Sequence, residues 1–400
     1  MNVLLCPMSD PGYLYPAIAI GLRLRRGGAD VHAVGRAAAA PVLASAGLPL
    51  VAAEEYGGPR TFDVANWTSA VYGPDRYRII LRVAREVRAD VLVTSVLCHE
   101  ALLAGEKLGL PVVVIGLAAH LWQYAAGGDT EPERPTLRAW RSQDLLRFYR
   151  LARDRAGLPT NPPSSALTGA ALLLRGDPVL EYPGAVLPER VHHVGPCTWE
   201  PPAPPEELAE ILGRLDRGGK PVVYAHLGRV FGGTDPWPWL NAGFTDGPLQ
   251  AVVELGRSED PRPSPNADLV VVRKPWMGPL VDRAVLVFTS GTSAPVLNAL
   301  LRGRAMVMAP AGSEQPMLTA ACVRAGVAAC QPDAVFRNPV DLLRSVWCDS
   351  GMRIRAKEIG QRLAAADGAE RAAAIVRRVA TGGPVVAGVG GGDSWNSPTW

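Results

Sequence analysis

The chain predicts an α/β fold, two doubly wound units in succession, and three features carry that prediction. Continuous Val/Leu/Ile runs replace apolar–polar alternation, as in parallel strands covered on both faces. These runs alternate with helical patterns over short connections. The pattern then breaks at "CTWEPPAPPEE", four prolines in eight residues, and restarts after it. A length of 400 residues with 48% apolar content suits two or three domains.

In the first half, "NVLLCP" reads as a buried strand. The helix after it runs from Pro16 to Arg26, with Ile18, Leu22 and Leu24 on one face and Gly27–Gly28 as its stop. "ADVHAVG" is a second strand, "AAAAPVLASAG" a second helix and "LPLVAA" a third strand. "ADVLVTS" and "PVVVIG" bracket the helix "HEALLAGEKLG". A polar loop, "GGDTEPERPT", precedes the amphipathic helix ending in "DLLRFYRLARDRAGLP", and the strand "ALLLRGD" leads into "LPERVHHVGP".

Beyond the prolines, "KPVVYAHLG" is a strand, "GPLQAVVELG" a helix, and "ADLVVV" and "RAVLVFTS" are strands. "APVLNALLRG" is a helix, "AMVMAP" a strand and "EQPMLTAACVRAG" a helix. The domain boundaries follow: 1–198, a linker at 199–218, 219–351, an Arg/Ala-rich helical region at 352–380, and a glycine-rich, disordered tail at 381–400.

Bulk charge excludes some functions. Forty-one basic residues against 38 acidic ones give a net charge of +3, and no basic run provides a field for nucleic acid or anionic lipid. No stretch has the length and apolarity of a membrane helix. The first twenty residues lack a secretory signal pattern, and six scattered cysteines without a C-x-x-C pair fit a reducing cytoplasm. No zinc ligand set and no Asp-x-Asp pair stand out, so no metal is expected.

Three segments carry a family likeness: "PGYLYPAIAIGLRLRRGGADVHAVG", "LARDRAGLPTNPP" with "LPERVHHVGP", and "VLVFTSGTSAPVLNALLRGRAMVMAPAGSEQPMLTAACVRAG". With them the chain resembles the GT-B glycosyltransferases of family 1, which decorate small natural products. The resemblance implies GT-B architecture, two doubly wound Rossmann-like domains facing across a cleft. It also implies an inverting, metal-independent transfer from a UDP- or TDP-sugar. The first domain would bind the acceptor, and the second the nucleotide sugar.

The third segment makes physical sense as a diphosphate cradle. A strand ends in Ser290-Gly291-Thr292-Ser293 and turns into a helix whose free N–H groups and dipole favour an anion. Gly228 and Arg229, in "HLGRVFGG", follow the first strand of that domain, and a guanidinium there can pair with a diphosphate oxygen. The resemblance assigns Glu314 and Gln315 to sugar hydroxyls and Asn298 to the ribose, where relatives carry glutamate. Ser290 stands where relatives carry histidine, and Pro295 removes one N–H from the helix start. Trp276 either stacks on the nucleobase or packs in the core.

The family's catalytic histidine is replaced by Tyr13, a poor base at neutral pH and a candidate pocket wall. Asp10, in the same loop, is a candidate base or a capping residue, and His120, after a strand, is another base candidate. His99 and Glu100 can orient a base or cap a helix, and His32, His192, His193 and His226 read as structural strand residues. Trp122, Tyr124, Trp140 and Phe148 are expected around the acceptor. The departures at Tyr13, Ser290, Pro295 and Asn298 also suit an alternative: a catalytically degenerate relative that partners an active transferase. A homodimer is a further partner arrangement.

Overall fold

The computed structural model describes residues 1–54, 74–116, 124–127, 134–228, 235–256, 261–310, 315–331 and 339–383. The chain divides into two compact units. One holds residues up to Trp199 together with those from Ala366 onward, and the other holds Glu200–Ala365.

The first unit runs β1 (Asn2–Cys6), α1 (Pro11–Arg26), β2 (Asp30–Arg36), α2 (Ala40–Ser45), β3 (Leu50–Glu54), α3 (Pro74–Glu86) and β4 (Val91–Ser95). It continues with α4 (His99–Leu108), β5 (Val112–Ile115), α5 (Arg134–Arg155), β6 (Ala171–Leu174) and β7 (Val191–His193). All seven strands are parallel, in the order β3-β2-β1-β4-β5-β6-β7. Strands β4, β5 and β6 are buried along their whole length, the reason their sequences do not alternate.

Helix α1 starts at Pro11, not at Pro16, so Tyr13 lies in its first turn rather than in a loop. Pro11 occupies N1, where a missing N–H costs nothing. The second proline, Pro16, does not break the helix.

The second unit comprises α6 (Pro205–Gly218), β8 (Val222–His226), α7 (Trp237–Phe244), β9 (Gln250–Glu254), β10 (Leu269–Val272), α8 (Gly278–Arg283) and β11 (Leu286–Thr289). It is completed by α9 (Ser293–Leu301), β12 (Ala305–Met308), α10 (Gln315–Arg324), β13 (Ala328–Cys330), α11 (Pro339–Cys348) and α12 (Ser350–Ala365). Its six parallel strands lie in the order β10-β9-β8-β11-β12-β13.

Two expectations change here. The segment "GPLQAVVELG" forms strand β9, not a helix. Its Val252–Val253 core is β-branched, and between Pro248 and Gly256 it is too short for a helix. The helix before it is α7, whose Trp237, Leu240 and Phe244 fill the core with Val223, Ala225, Phe288 and Leu343. Within the expected linker, only the prolines up to Pro204 are extended. Pro205 opens α6, with Glu206 and Glu207 in the first turn, where acidic groups favour the helix dipole.

The helical region 352–380 does not act as one piece. Helix α12 stays with the second unit, whereas α13 (Gly368–Ala380) joins the first. There Ala372, Ala373 and Val376 share a core with Ile18, Leu24, Val91 and Val93. Gly368 permits the approach: a Cβ on it would lie 2.5 Å from the carbonyl oxygens of Gly195 and Pro196. Arg23 pairs with Asp367 at 2.8 Å beside it. The tail beyond Gly383 lies outside the described residues.

Candidate functional site

In each sheet the strand order reverses once, between β1 and β4 in the first unit and between β8 and β11 in the second. The carboxyl ends of strands at such a reversal are where open α/β sheets bind ligands. Of the candidate donor residues, Gly228, Ser290, Gly291, Thr292 and Ser293 lie at the second reversal, and Gln315 bonds Ser290 there.

Gly228 follows β8 with φ +64°, and Gly291 follows β11 with φ +87°. A Cβ on Gly228 would lie 2.9 Å from Ser290 Oγ, 3.5 Å from His226 Nδ1 and 3.6 Å from Thr292 Cγ2. A Cβ on Gly291 would lie 2.9 Å from Thr319 Oγ1 and 3.2 Å from the Gln315 carbonyl oxygen. A third glycine, Gly256 after β9, has φ +57°, and its Cβ would sit 2.9 Å from the Gly228 carbonyl oxygen. Three strand ends are thus stripped of side chains at one edge.

Hydroxyls and N–H groups line that edge. Gln315, fully buried, donates its amide to Ser290 Oγ at 3.3 Å. Thr292 is the N-cap of α9 without a side-chain cap bond, and its Oγ1 is buried with no hydrogen-bond partner among the described residues. His226 Nδ1, Tyr224 Oη and Thr319 Oγ1 share that condition. His226 was expected to be a satisfied strand residue. Burial instead pushes its pKa down to about 4, leaving a neutral ring with an unused nitrogen near Gly228. The N–H of Gly291 is occupied by Thr289 Oγ1 at 3.2 Å, so the cradle's N–H groups begin at Thr292.

Two candidates sit differently from their donor reading. The Trp276 ring is 2% exposed, which favours packing over stacking on a base. Asn298, in the second turn of α9, accepts a hydrogen bond from Arg302 Nη1, and Arg302 also pairs with Asp282 at 2.8 Å. Arg229 and Glu314 lie outside the described residues.

In the first unit, the connection after β1 is pinned from three sides. The Met8 N–H bonds Ser95 Oγ at 3.1 Å, and the Arg36 N–H bonds Ser9 Oγ at 3.0 Å. Arg76 Nη2 donates to the Pro7 carbonyl at 2.8 Å, and Thr94 Oγ1 to the Cys6 carbonyl at 2.9 Å. Asp10 follows, buried, as the N-cap of α1, but its carboxylate makes no cap bond to the helix. Its backbone carbonyl accepts the Tyr13 and Leu14 N–H groups at 2.9 and 2.8 Å. Tyr13 is half-buried three residues on.

Across the reversal, after β4, Leu97 is held at φ +70°, a conformation that costs a branched residue free energy and often marks functional turns. His99 and Glu100 are buried in the first turn of α4. His99 packs edge-on against Tyr149 at 5.2 Å, and burial lowers its pKa to about 4. Of the acceptor candidates, Tyr124 is half-buried and donates to Glu181 Oε2 at 2.6 Å. Phe148 is buried in α5 with Arg147 over its ring at 4.6 Å. His120, Trp122 and the Trp140 side chain lie outside the described residues.

Sequence reasoning missed Gly256, Thr319 and Arg76. A signal for Gly256 existed: β8 and β9 end alike, in His226-Leu227-Gly228 and Glu254-Leu255-Gly256, and the strands pair in that register.

No protein-family model and no curated protein sequence matches the chain. Solved structures do. The glycotransferase of kitacinnamycin superposes with a TM-score of 0.73 at 18% identity, covering 94% of this chain and 98% of that one. The fold is GT-B. The glycosyltransferase VinC in complex with dTDP gives 0.70 at 16% identity over 96% and 100% of the two chains. The spinosyn forosaminyltransferase SpnP gives 0.72 at 14% identity over 95% and 99%. Among the described residues of this GT-B chain, no group of three or more His, Cys, Asp or Glu could hold a metal ion. None of their helices is long and apolar enough to cross a membrane.

Proposed function

We propose that the chain is an inverting glycosyltransferase that moves a sugar from a TDP- or UDP-sugar to a hydroxyl of a small, partly apolar acceptor. One observation carries this reading: the glycine-lined edge at the β8/β11 reversal, where Gly228 and Gly291 bring Ser290, Thr292 and the start of α9 close together and Thr292 Oγ1 has no hydrogen-bond partner among the described residues. Such an edge suits a diphosphate, whose negative charge the helix dipole and N–H groups stabilise. The structures most like this fold include one holding dTDP, which makes TDP the first donor to test.

In this reading the acceptor hydroxyl gives its proton to a base of the first unit while its oxygen attacks the anomeric carbon. The bond from that carbon to the diphosphate breaks with inversion. The departing charge meets the N–H groups of Ser293 and Ala294, the hydroxyls of Ser290 and Thr292, and Arg229. Asp10 is the leading base: a buried carboxylate at the N-terminus of α1, beside the first reversal. Gln315 and Glu314 would select the sugar. No metal is needed, because donors and dipole supply the stabilisation.

The alternative of a degenerate, auxiliary relative draws on two facts, the Asn298 side chain held by Arg302 and the buried Trp276 ring. A screen of TDP- and UDP-sugars for slow hydrolysis by the pure protein separates the two readings. Turnover of one donor, with Asp10→Asn about 10²–10⁴-fold slower at unchanged TDP affinity, supports the enzyme. Absence of turnover and of nucleotide binding supports the auxiliary role.

A further inference from the structure

Gln315 opens α10 with its side chain fully buried, and that side chain reaches across to the turn after β11, where Nε2 donates to Ser290 Oγ at 3.3 Å. Gly291 makes the approach possible. It has φ +87° and no side chain, and a Cβ on it would lie 3.2 Å from the Gln315 carbonyl oxygen and 2.9 Å from Thr319 Oγ1. The turn is fixed from its own side as well, because the Gly291 N–H donates to Thr289 Oγ1 at 3.2 Å.

A serine hydroxyl has one hydrogen to give and two lone pairs with which to receive. The Gln315 amide nitrogen carries only hydrogens, so it fills one lone pair of Ser290 and leaves the serine hydrogen unclaimed. Among the described residues none accepts that hydrogen. Ser290 Oγ also borders Gly228, on which a Cβ would lie 2.9 Å away. Thr292 follows at the start of α9, its Oγ1 buried and without a hydrogen-bond partner among the described residues. Two hydroxyls with hydrogens to give thus stand together at the end of β11.

We infer that Gln315 is a positioning residue: its amide donates to Ser290 and so keeps the serine hydroxyl as a ready donor to a phosphate oxygen of the nucleotide. The identity of that ligand rests on the diphosphate reading proposed above; the orientation of the amide does not. A donor set in advance binds more tightly because less order is lost when the ligand arrives. The sugar selection proposed for Gln315 is a separate role, read with nucleotide sugars. This one is read with TDP and UDP, which carry no transferred sugar.

The test is calorimetric titration of the full-length chain and its Ser290→Ala, Gln315→Met and doubly substituted forms with TDP and UDP, beside thymidine and uridine. Each single change should weaken the diphosphates about tenfold, the loss of one hydrogen bond to a charged group, and leave the nucleosides unchanged. The double variant should bind no more weakly than Ser290→Ala, because without the hydroxyl nothing is left to orient. Additive losses overturn the inference, as does a Gln315→Met protein that holds the diphosphates as well as the wild type or better. The latter is the result expected if the opposite end of the amide accepted the serine hydrogen. A second measurement uses the free protein labelled with ¹⁵N-glutamine and does not depend on Gln315→Met folding. The Gln315 side-chain amide resonances should move in Ser290→Ala and its hydrogens exchange faster; unmoved resonances overturn the inference. A wild type that binds neither TDP nor UDP removes the diphosphate reading and the phosphate role of Ser290 with it, and the amide resonances then decide the Gln315–Ser290 bond by themselves.

Discussion

Replacing Gly291 by alanine should destabilise the second unit through both its backbone and its packing. At φ +87° an L-residue pays about 1–2 kcal/mol in backbone strain. The new Cβ would also lie 2.9 Å from Thr319 Oγ1, 3.2 Å from the Gln315 carbonyl oxygen and 3.2 Å from Met308 Cε. Thr319 is buried within α10 and cannot swing aside, so overpacking adds about 1–2 kcal/mol. The sum, about 2–4 kcal/mol, lowers the melting temperature of a unit this size by roughly 5–12 °C. Gly213→Ala is the control: it lies within α6, where a Cβ would meet only the flexible end of Arg217 at 3.7 Å. That change should stabilise by about 0.5–1 kcal/mol. Differential scanning calorimetry of both variants decides. A Gly291→Ala protein that melts within a degree of wild type refutes the claim that this turn requires glycine.

Other outcomes follow from the same physics. His99 and His226 have pKa values lowered from 6.5 to about 4, so their stabilisation is complete above pH 6.5 and is lost as pH falls towards 4. At pH 5 each should cost about 2 kcal/mol, read from urea midpoints between pH 7.5 and pH 4.5; constant midpoints contradict this. Glu254, raised by burial, works in the opposite sense in the second unit, so the first unit gives the cleaner readout. Arg153→Ala should destabilise the first unit by about 2–3 kcal/mol. It removes a buried guanidinium bonded to Glu106, Tyr149 and the Pro159 carbonyl, and a thermal shift under 1 °C would contradict it. Arg229→Ala should weaken nucleoside diphosphate binding about tenfold and nucleoside binding little; an equal loss for both removes the phosphate role.

Much of the architecture was legible because parallel strands buried on both faces leave unbroken apolar runs, such as Val91–Ser95 and Leu286–Thr289. The failures have local causes. "QAVVE" has the composition of a strand but sits where a helix would satisfy the alternation, and α7 hides among prolines and tryptophans. Helix α13 cannot be assigned to the first unit from its own periodicity, because its partners, Ile18 and Val91, are hundreds of residues away. At the site, Gly291 and Ser290 announced themselves by a strand–turn–helix pattern. Contacts such as Gly256 on Gly228 depend on strand pairing that no local motif encodes.

The account rests on the edge between β8 and β11 being built for two linked phosphates. Isothermal titration of the wild-type chain with TDP and UDP, each beside its parent nucleoside, measures that directly. The diphosphates should bind at least about 100-fold more tightly than thymidine or uridine, a difference of about 2.7 kcal/mol contributed by the phosphates. Equal affinities, or no binding of either diphosphate, would contradict the account.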